Sequence, residues 1–307
     1  MSGFLPEPLV QSRSPSWHVY RLTGETTVQI DAHVHFWSLS RGEYDWLTPD
    51  LAAINRDFHP RDLRPYLNRH GIESLILVQA AASVAETDYM LGIADAADCV
   101  AGVVGWIDFE EPAHRRQLER FAAHPKFRGL RPMIQDIPAP DWMLEPRLDW
   151  AYRAMIEHEL SFDALGFPQH LDNFLRLFAR YPDLRVVVDH CMKPQIRDGA
   201  FDSWAAGLER IARETPAYCK LSGLVTEAKP GWTADDLKPY AGQVLQSFGP
   251  ERVMWGSDWP VVTLAGTYDT WREAAEEIVS DEQGTASIWG RSAATFYRLD
   301  AEKARPA

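Results

Sequence analysis

Three short stretches of the chain carry the residue types that hydrolytic chemistry needs. Asp31-Ala-His33-Val-His35-Phe-Trp37 places two histidines two positions apart, Val188-Asp189-His190 supplies a third, and Gly256-Ser-Asp258-Trp259-Pro260 supplies a carboxylate. On an extended segment, side chains two apart share a face. Two imidazoles on one face can bind a metal ion or donate to a single oxygen. Each piece has a plainer reading by itself: rim histidines satisfied by hydrogen bonds, or an aspartate capping a loop. Three imidazoles and one carboxylate, at the ends of three separate apolar runs, form a pattern that chance seldom assembles.

The runs that would position them recur along the chain. Strands are expected over 29–34, 74–79, 101–106, 127–131, 160–165, 184–189, 217–221 and 253–256, the near-continuous Val/Ile/Leu pattern of parallel strands covered on both faces. Helical patterns separate them over 60–69, 84–97, 111–123, 147–157, 169–180, 201–214, 234–248 and 268–279. Ser83, with Glu86 three residues on, has the form of a capping box. Regular alternation of strand and helix implies parallel βα units, and about eight of them imply a closed (β/α)8 TIM barrel in a single domain. The barrel is expected over residues 27–307, preceded by a Pro/Ser-containing arm at 1–26. In such a barrel the chemistry sits at the C-terminal ends of the strands, where His33, His35, His190 and Asp258 all fall.

Composition narrows the partners. A formal net charge of -13 over 307 residues repels phosphate backbones and anionic lipid, so neither nucleic acid nor a membrane surface is expected. No stretch is long and apolar enough to span a bilayer, and the start of the chain lacks the pattern of a secretory signal. Cys99, Cys191 and Cys219 make neither a disulfide framework nor a CxxC site, which fits a cytoplasmic protein with reduced thiols. Cys191 beside His190 is set aside as a nucleophile, because neighbours on a strand face opposite sides. A small molecule is the expected partner, and a homo-oligomer is left open.

The segments IDAHVHFW, LILVQA, GVVGWIDF, GLRP, VVVDHCMKP, CKLSGLVTEA and RVMWGSDWPV, in this order, resemble the amidohydrolase superfamily and, within it, the sugar-lactone hydrolase branch. That branch includes hydrolases of L-fuconolactone, L-rhamnonolactone and galactonolactone, and 2-pyrone-4,6-dicarboxylate lactonase. The resemblance runs from about Val28 to about Arg298. It implies that Asp258 activates water and that His33, His35 and His190 are site histidines. These four would also hold a single divalent ion, Zn or Mn, if one is bound. Arg131 stands where two-metal members carry a bridging lysine, and Ser161-Phe-Asp163 stands where they carry a further histidine. Both departures point to one metal or none.

Opening a lactone requires a base for the attacking water, a stabiliser for the carbonyl oxygen and a proton for the ring oxygen. Asp258 is the expected base. The three histidines would stabilise the oxyanion directly or through the ion. Arg131, Gln79 and Lys193 are candidates for substrate oxygens, with an Arg131–Asp163 ion pair as the structural alternative for Arg131. Trp37, Trp106 and Trp259, each at a strand end, are candidates for stacking on a sugar ring or for rim packing. Tyr44 and Trp46 lie in a first loop long enough to close over the site. Two other readings of the same residues are a metal-dependent decarboxylase of an aromatic acid and a ligand-binding barrel without catalysis.

Overall fold

The structure, a computed structural model, describes residues 28–280 and 284–299. The arm expected at 1–26 lies outside the described residues. Eight strands, β1 (Ile30–Val34), β2 (Ser74–Val78), β3 (Val100–Gly105), β4 (Phe127–Leu130), β5 (Ser161–Ala164), β6 (Arg185–Val188), β7 (Tyr218–Leu221) and β8 (Val253–Trp255), pair in parallel in chain order. The ring closes through the residues that follow β8. Val34 and Trp259 form a parallel bridge, the Asp258 N–H donates to the His33 carbonyl (2.9 Å), and the His35 N–H donates to the Trp259 carbonyl (2.8 Å). The seam of the (β/α)8 barrel is therefore made by the two motifs that carry most of the candidate chemistry.

The described helices are α1 (Pro60–His70), α2 (Val84–Ala96), α3 (Arg115–Ala122), α4 (Asp149–Glu157), α5 (Leu171–Arg180), α6 (Asp202–Glu214), α7 (Leu224–Glu227), α8 (Ala234–Phe248), α9 (Tyr268–Val279) and α10 (Ser292–Tyr297). In α5, Leu171, Phe174, Leu175, Leu177 and Phe178 are buried while Asp172 and Arg180 face out. Each buried side chain of this size contributes about 1.5–3 kcal/mol of transfer free energy. The capping box expected at Ser83 is half present. The Ser83 hydroxyl accepts the Glu86 N–H (2.9 Å), but the Glu86 carboxyl turns inward to the Tyr44 hydroxyl (2.6 Å) instead of back to Ser83. The helix expected over 111–123 begins later, at Arg115, after a 3-10 turn over Pro112–His114.

Two apolar masses follow from the topology. One fills the barrel interior with Ile30, Ile76, Val104, Val187 and Met254. The other lies between the strands and the surrounding helices. Helix α10 plugs the strand starts: Phe296 packs on the Tyr218 ring at 5.0 Å and its carbonyl accepts Arg185 Nη1 at 2.8 Å. Closing that end leaves the C-terminal ends of the strands as the mouth. No helix among the described residues is long and apolar enough to cross a membrane.

Candidate active site

The two strand-one histidines reach the barrel through a register break. Asp31 pairs with Leu75 while Val34 pairs with Leu77, so β1 carries one extra residue there. Such a bulge re-aims side chains. Unbroken alternation would put Asp31 on the same face as His33 and His35. Instead Asp31 accepts the Ser257 N–H (2.8 Å), the His33 N–H (3.2 Å) and the Tyr268 hydroxyl (3.0 Å), pinning β1 to the post-β8 loop and to α9. Burial pushes its carboxyl up to about 6, against those hydrogen bonds.

His33, His35 and Asp258 meet at the mouth. His33 Nε2 lies 3.1 Å from His35 Nε2 and 3.8 Å from Asp258 Oδ1, and His35 Nε2 lies 3.3 Å from the same oxygen. His190 joins them, its ring centroid 4.4 Å from that of His33. Two backbone features bring His190 and Asp258 in. His190, Cys191, Met192 and Lys193 all have left-handed φ near +50°, as does Asp258 at +58°. L-residues pay for that conformation, and here the surroundings hold it. Trp204 Nε1 donates to the Cys191 carbonyl (2.7 Å), and the Lys193 N–H donates to the His190 carbonyl (2.7 Å). Glycines clear the space. A Cβ on Gly223, at φ +67°, would come within 2.8 Å of the His190 ring, and one on Gly256 within 2.8 Å of His33 Cβ. Cys191 is buried, its thiol turned to the Lys220 carbonyl (3.2 Å), so the nucleophile reading fails because of this turn and not because of strand alternation.

The protonation pattern follows from the partners. Burial pushes His33 well below the ordinary histidine value, with the Lys220 charge acting in the same direction; His35 is lowered, and His190 is lowered to about 4, also by burial first. All three are neutral near pH 7. His35 Nδ1 faces the Val78 carbonyl at 2.7 Å and must carry the proton there, so its Nε2 presents a lone pair. Lys220 Nζ, 3.1 Å from His33 Nδ1, can only donate, and with His35 Nε2 accepting at 3.1 Å this favours the His33 proton on Nε2, against the Arg131 Nη1 donor 3.2 Å from the same nitrogen. His190 Nδ1 is 2.9 Å from the Ser222 hydroxyl. Burial opposes the charge on Asp258, but as pH falls His190 and His35 take up protons beside it and, with Lys193, outweigh burial and hold the carboxyl below the usual aspartate value.

Beneath His33 lies a network absent from the expectations. Lys220, fully buried on β7, contacts Asp163 Oδ2 at 2.6 Å and Asp189 Oδ1 at 3.0 Å, and the Tyr297 hydroxyl from α10 donates to Asp163 Oδ2 at 2.7 Å. Arg131 Nη1 is 3.4 Å from Asp189 Oδ2 and 3.2 Å from His33 Nε2, and its Nη2 donates to the Gln79 carbonyl. Its ion-pair partner is thus Asp189 and not Asp163. Gln79 Nε2 donates to the Arg131 carbonyl (2.8 Å), and its Oε1 has no hydrogen-bond partner among the described residues. Lys193 Nζ donates to Gln135 Oε1 (2.6 Å) and sits 5.4 Å from the Phe167 ring centroid. Trp37, with its N–H given to the Arg56 carbonyl (2.8 Å), is enclosed with Tyr44 and Phe58, and Trp259 packs edge-on to Phe36 and Phe58. Trp106 is half-buried against His114. The Tyr44–Glu86 bond and Trp46 Nε1 to the Ala80 carbonyl (2.8 Å) tie the first loop down over β2.

The donor set fits one divalent ion. The ligand atoms of His33, His35 and Asp258 lie within 4.8 Å of one another, and all three residues are buried. The proton on His35 Nδ1, fixed by a backbone carbonyl, is the usual support of a metal-binding imidazole. To offer Nε2 as well, His33 must shift its own proton to Nδ1, where Asp189 Oδ1 stands at 3.7 Å.

Residues 30–299 match the family model described as Amidohydrolase. The chain is 41% identical over 280 residues to an L-fucono-1,5-lactonase of Burkholderia ambifaria, covering 89% of this chain and 97% of that one. It is 32% identical over 287 residues to an L-fucono-1,5-lactonase of Burkholderia multivorans, covering 89% and 96%. Among solved structures, a crystal structure of an amidohydrolase from Burkholderia multivorans with zinc bound aligns at a TM-score of 0.83 and 33% identity, over 89% of this chain and 99% of that one.

Proposed function

This chain belongs to the amidohydrolase family, and from that premise we propose that it is a hydrolase opening a sugar-acid lactone, an aldono-1,4- or 1,5-lactone, with Asp258 as general base. The carrying observation is Asp258 itself: a buried carboxylate 3.3 Å from His35 Nε2 at the mouth of the barrel, in a chain so similar to L-fucono-1,5-lactonases. Ionised at neutral pH, Asp258 takes a proton from water as the water attacks the lactone carbonyl carbon. His33, whose proton faces inward, donates to the carbonyl oxygen as negative charge builds there. The ring C–O bond then breaks, and the proton held by Asp258 passes to the alkoxide. The leaving group stays tethered, so the site need only hold the ring in place. Arg131 and Lys193 supply N–H donors for the substrate's other oxygens.

His35, with its one N–H spent on Val78, cannot donate to an oxyanion while neutral; its inward lone pair suits a cation. His33, His35 and Asp258, with His190 alongside, would hold one ion, Zn or Mn. Such an ion is a Lewis acid that polarises the carbonyl.

A pH-indicator screen of aldonolactones tests the reading, run with chelator and with added Zn2+ or Mn2+. Acid release from an L-fuconolactone-like compound is the expected result. Silence across the panel in every metal condition would overturn it.

A further inference from the structure

The barrel closes beside its chemistry with little backbone pairing to hold it. The strands pair in order from β1 to β8, but among the described residues no strand ladder joins β8 back to β1. Toward the mouth, the Val34–Trp259 bridge and the bond from the Asp258 N–H to the His33 carbonyl join the two edges. One step deeper, a single side-chain oxygen stands in for a rung. Asp31 Oδ1 accepts the Ser257 N–H at 2.8 Å and the His33 N–H at 3.2 Å. One donor belongs to His33 itself. The other immediately precedes Asp258, whose φ of +58° is left-handed. The same oxygen therefore holds the backbone on both sides of the pair His33 Nε2 and Asp258 Oδ1, which lie 3.8 Å apart.

The second oxygen of Asp31 serves a different element. Oδ2 accepts the Tyr268 hydroxyl at 3.0 Å. Tyr268 begins α9, and Trp271, one turn on, donates its indole N–H to the Gly256 carbonyl at 2.9 Å. Helix α9 thus braces the loop after β8, while Oδ1 joins that loop to β1. Asp31 is fully buried and makes no ion pair among the described residues. A buried carboxylate without a cation costs stability. A residue serving only to pack β1 is better apolar, as the adjacent Ile30 and Ala32 are.

We propose that Asp31 is a positioning residue for lactone opening, its Oδ1 setting the separation between the base Asp258 and the oxyanion donor His33. The inference rests on the lactonase reading and adds to it a residue that touches no substrate. Water on Asp258 attacks the carbonyl carbon while His33 holds the carbonyl oxygen, so the two groups must flank one C=O unit. An error of about 1 Å in such an arrangement costs about 10²-fold in rate. The Tyr268 bond lies on the other oxygen and contributes to stability, not to that separation.

The test compares Asp31→Ala, Asp31→Asn and Tyr268→Phe with wild type on L-fucono-1,5-lactone, in the metal condition that gives wild type its highest turnover, and follows the thermal unfolding of each. Asp31→Ala removes both seam bonds and should lower kcat about 10- to 100-fold with KM within about 3-fold, since no substrate contact is lost. Asp31→Asn keeps an acceptor oxygen in the Oδ1 place, and the Tyr268 hydroxyl can turn to accept from the amide, so kcat should return to within about 3-fold of wild type. Tyr268→Phe should lower the melting temperature by about 2 °C, the worth of one hydrogen bond, and leave kcat within about 3-fold. Should Asp31→Ala not fold, Asp31→Thr replaces it with the same expected loss: threonine suits a strand, and its hydroxyl stops one bond short of Oδ1. Wild-type kcat in the Ala or Thr variant overturns the proposal. So does an Asn variant that fails to restore kcat, or a Tyr268→Phe variant that loses as much kcat as Asp31→Ala. Wild-type protein silent on the lactone would sink the lactonase reading instead, a result distinct from wild type and Asp31→Ala turning over alike.

Discussion

Two groups of charges sit one above the other on the barrel axis, and they are treated in opposite ways. Below His33, Lys220 is clamped by Asp163 and Asp189, Tyr297 bonds Asp163, and Arg131 reaches Asp189; every ionic group has an opposite charge within 3.4 Å, and all are buried. At the mouth, among the described residues, Glu227 has no bonding partner and Lys193 bonds only the neutral Gln135. Burial separates them in part, since Glu227 and Lys193 are half-buried where the floor groups are enclosed. The other difference is pairing. Buried charges that neutralise one another fix the shape and protonation of the machinery. Charges left without a bond are available to a ligand.

The sharpest way to break this contrast is on the floor. Lys220→Met would strand Asp163 and Asp189 in a water-free interior. Removing one member of a buried ion pair typically costs about 3–5 kcal/mol of stability, readable by urea unfolding. It should also lower kcat, because nothing then holds the His33 proton on Nε2. Adding Asp163→Asn to Lys220→Met should recover part of the stability. A Lys220→Met protein as stable as wild type would show that the floor is not held by its charges. The mouth should respond differently. Asp258→Asn should fold with an unchanged melting temperature yet lose at least about 10²-fold in kcat/KM, a general-base contribution. Normal turnover by that variant removes Asp258 as the base.

Glu86 is an intermediate case and sharpens the rule through pH. It is fully buried, accepts the Tyr44 hydroxyl (2.6 Å) and the Ala80 N–H (3.2 Å), and has Arg41 Nη2 at 3.5 Å. Desolvation exceeds all of that help, and its carboxyl is pushed up to about 7 from an ordinary 4.5. The folded value lies above the unfolded one, so the native state holds the extra proton between them. Stability from this group is complete below the unfolded pKa and is lost as pH rises through the folded one. Between about pH 5 and pH 7 the loss amounts to about 2 kcal/mol. Glu86→Gln should remove that slope, seen as the difference between wild-type and variant unfolding curves across the range. Parallel curves would mean that Glu86 is ionised throughout and belongs with the paired charges.

What the sequence revealed follows the same division. The eight strands fall within a residue or two of their expected places, because continuous apolar runs between polar stops are a signal local to each strand. His33, His35, His190 and Asp258 were legible as the ends of those runs. The β1 bulge was not, since nothing in Asp31-Ala-His33 marks an extra residue, and neither was the left-handed run His190–Lys193, which contains no glycine. Lys220 could have been found. Between the outward Cys219 and Leu221, alternation turns it into the barrel, where a charge must have partners. Asp163 and Asp189 on neighbouring strands were the residues to ask about. Glu227 had no signal, because its place depends on how the glycine that caps α7 fits beside His190.

Arg131 straddles the boundary, and its variant should show the smallest and most informative effect. Nη2 is committed to the Gln79 carbonyl, Nη1 faces both Asp189 and His33, and Nε has no hydrogen-bond partner among the described residues. If the guanidinium holds substrate oxygens in the ground state, Arg131→Met raises KM about 10-fold and lowers kcat by less, the pattern of lost uniform binding. A fall in kcat at constant KM would place Arg131 with His33 as a stabiliser of the transition state. A collapse in stability comparable to that of Lys220→Met would place it on the floor. Asp189 is the reason to expect the first outcome: Lys220 already lies 3.0 Å from that carboxylate, closer than Arg131 at 3.4 Å, so losing the arginine still leaves the buried acid with a cation.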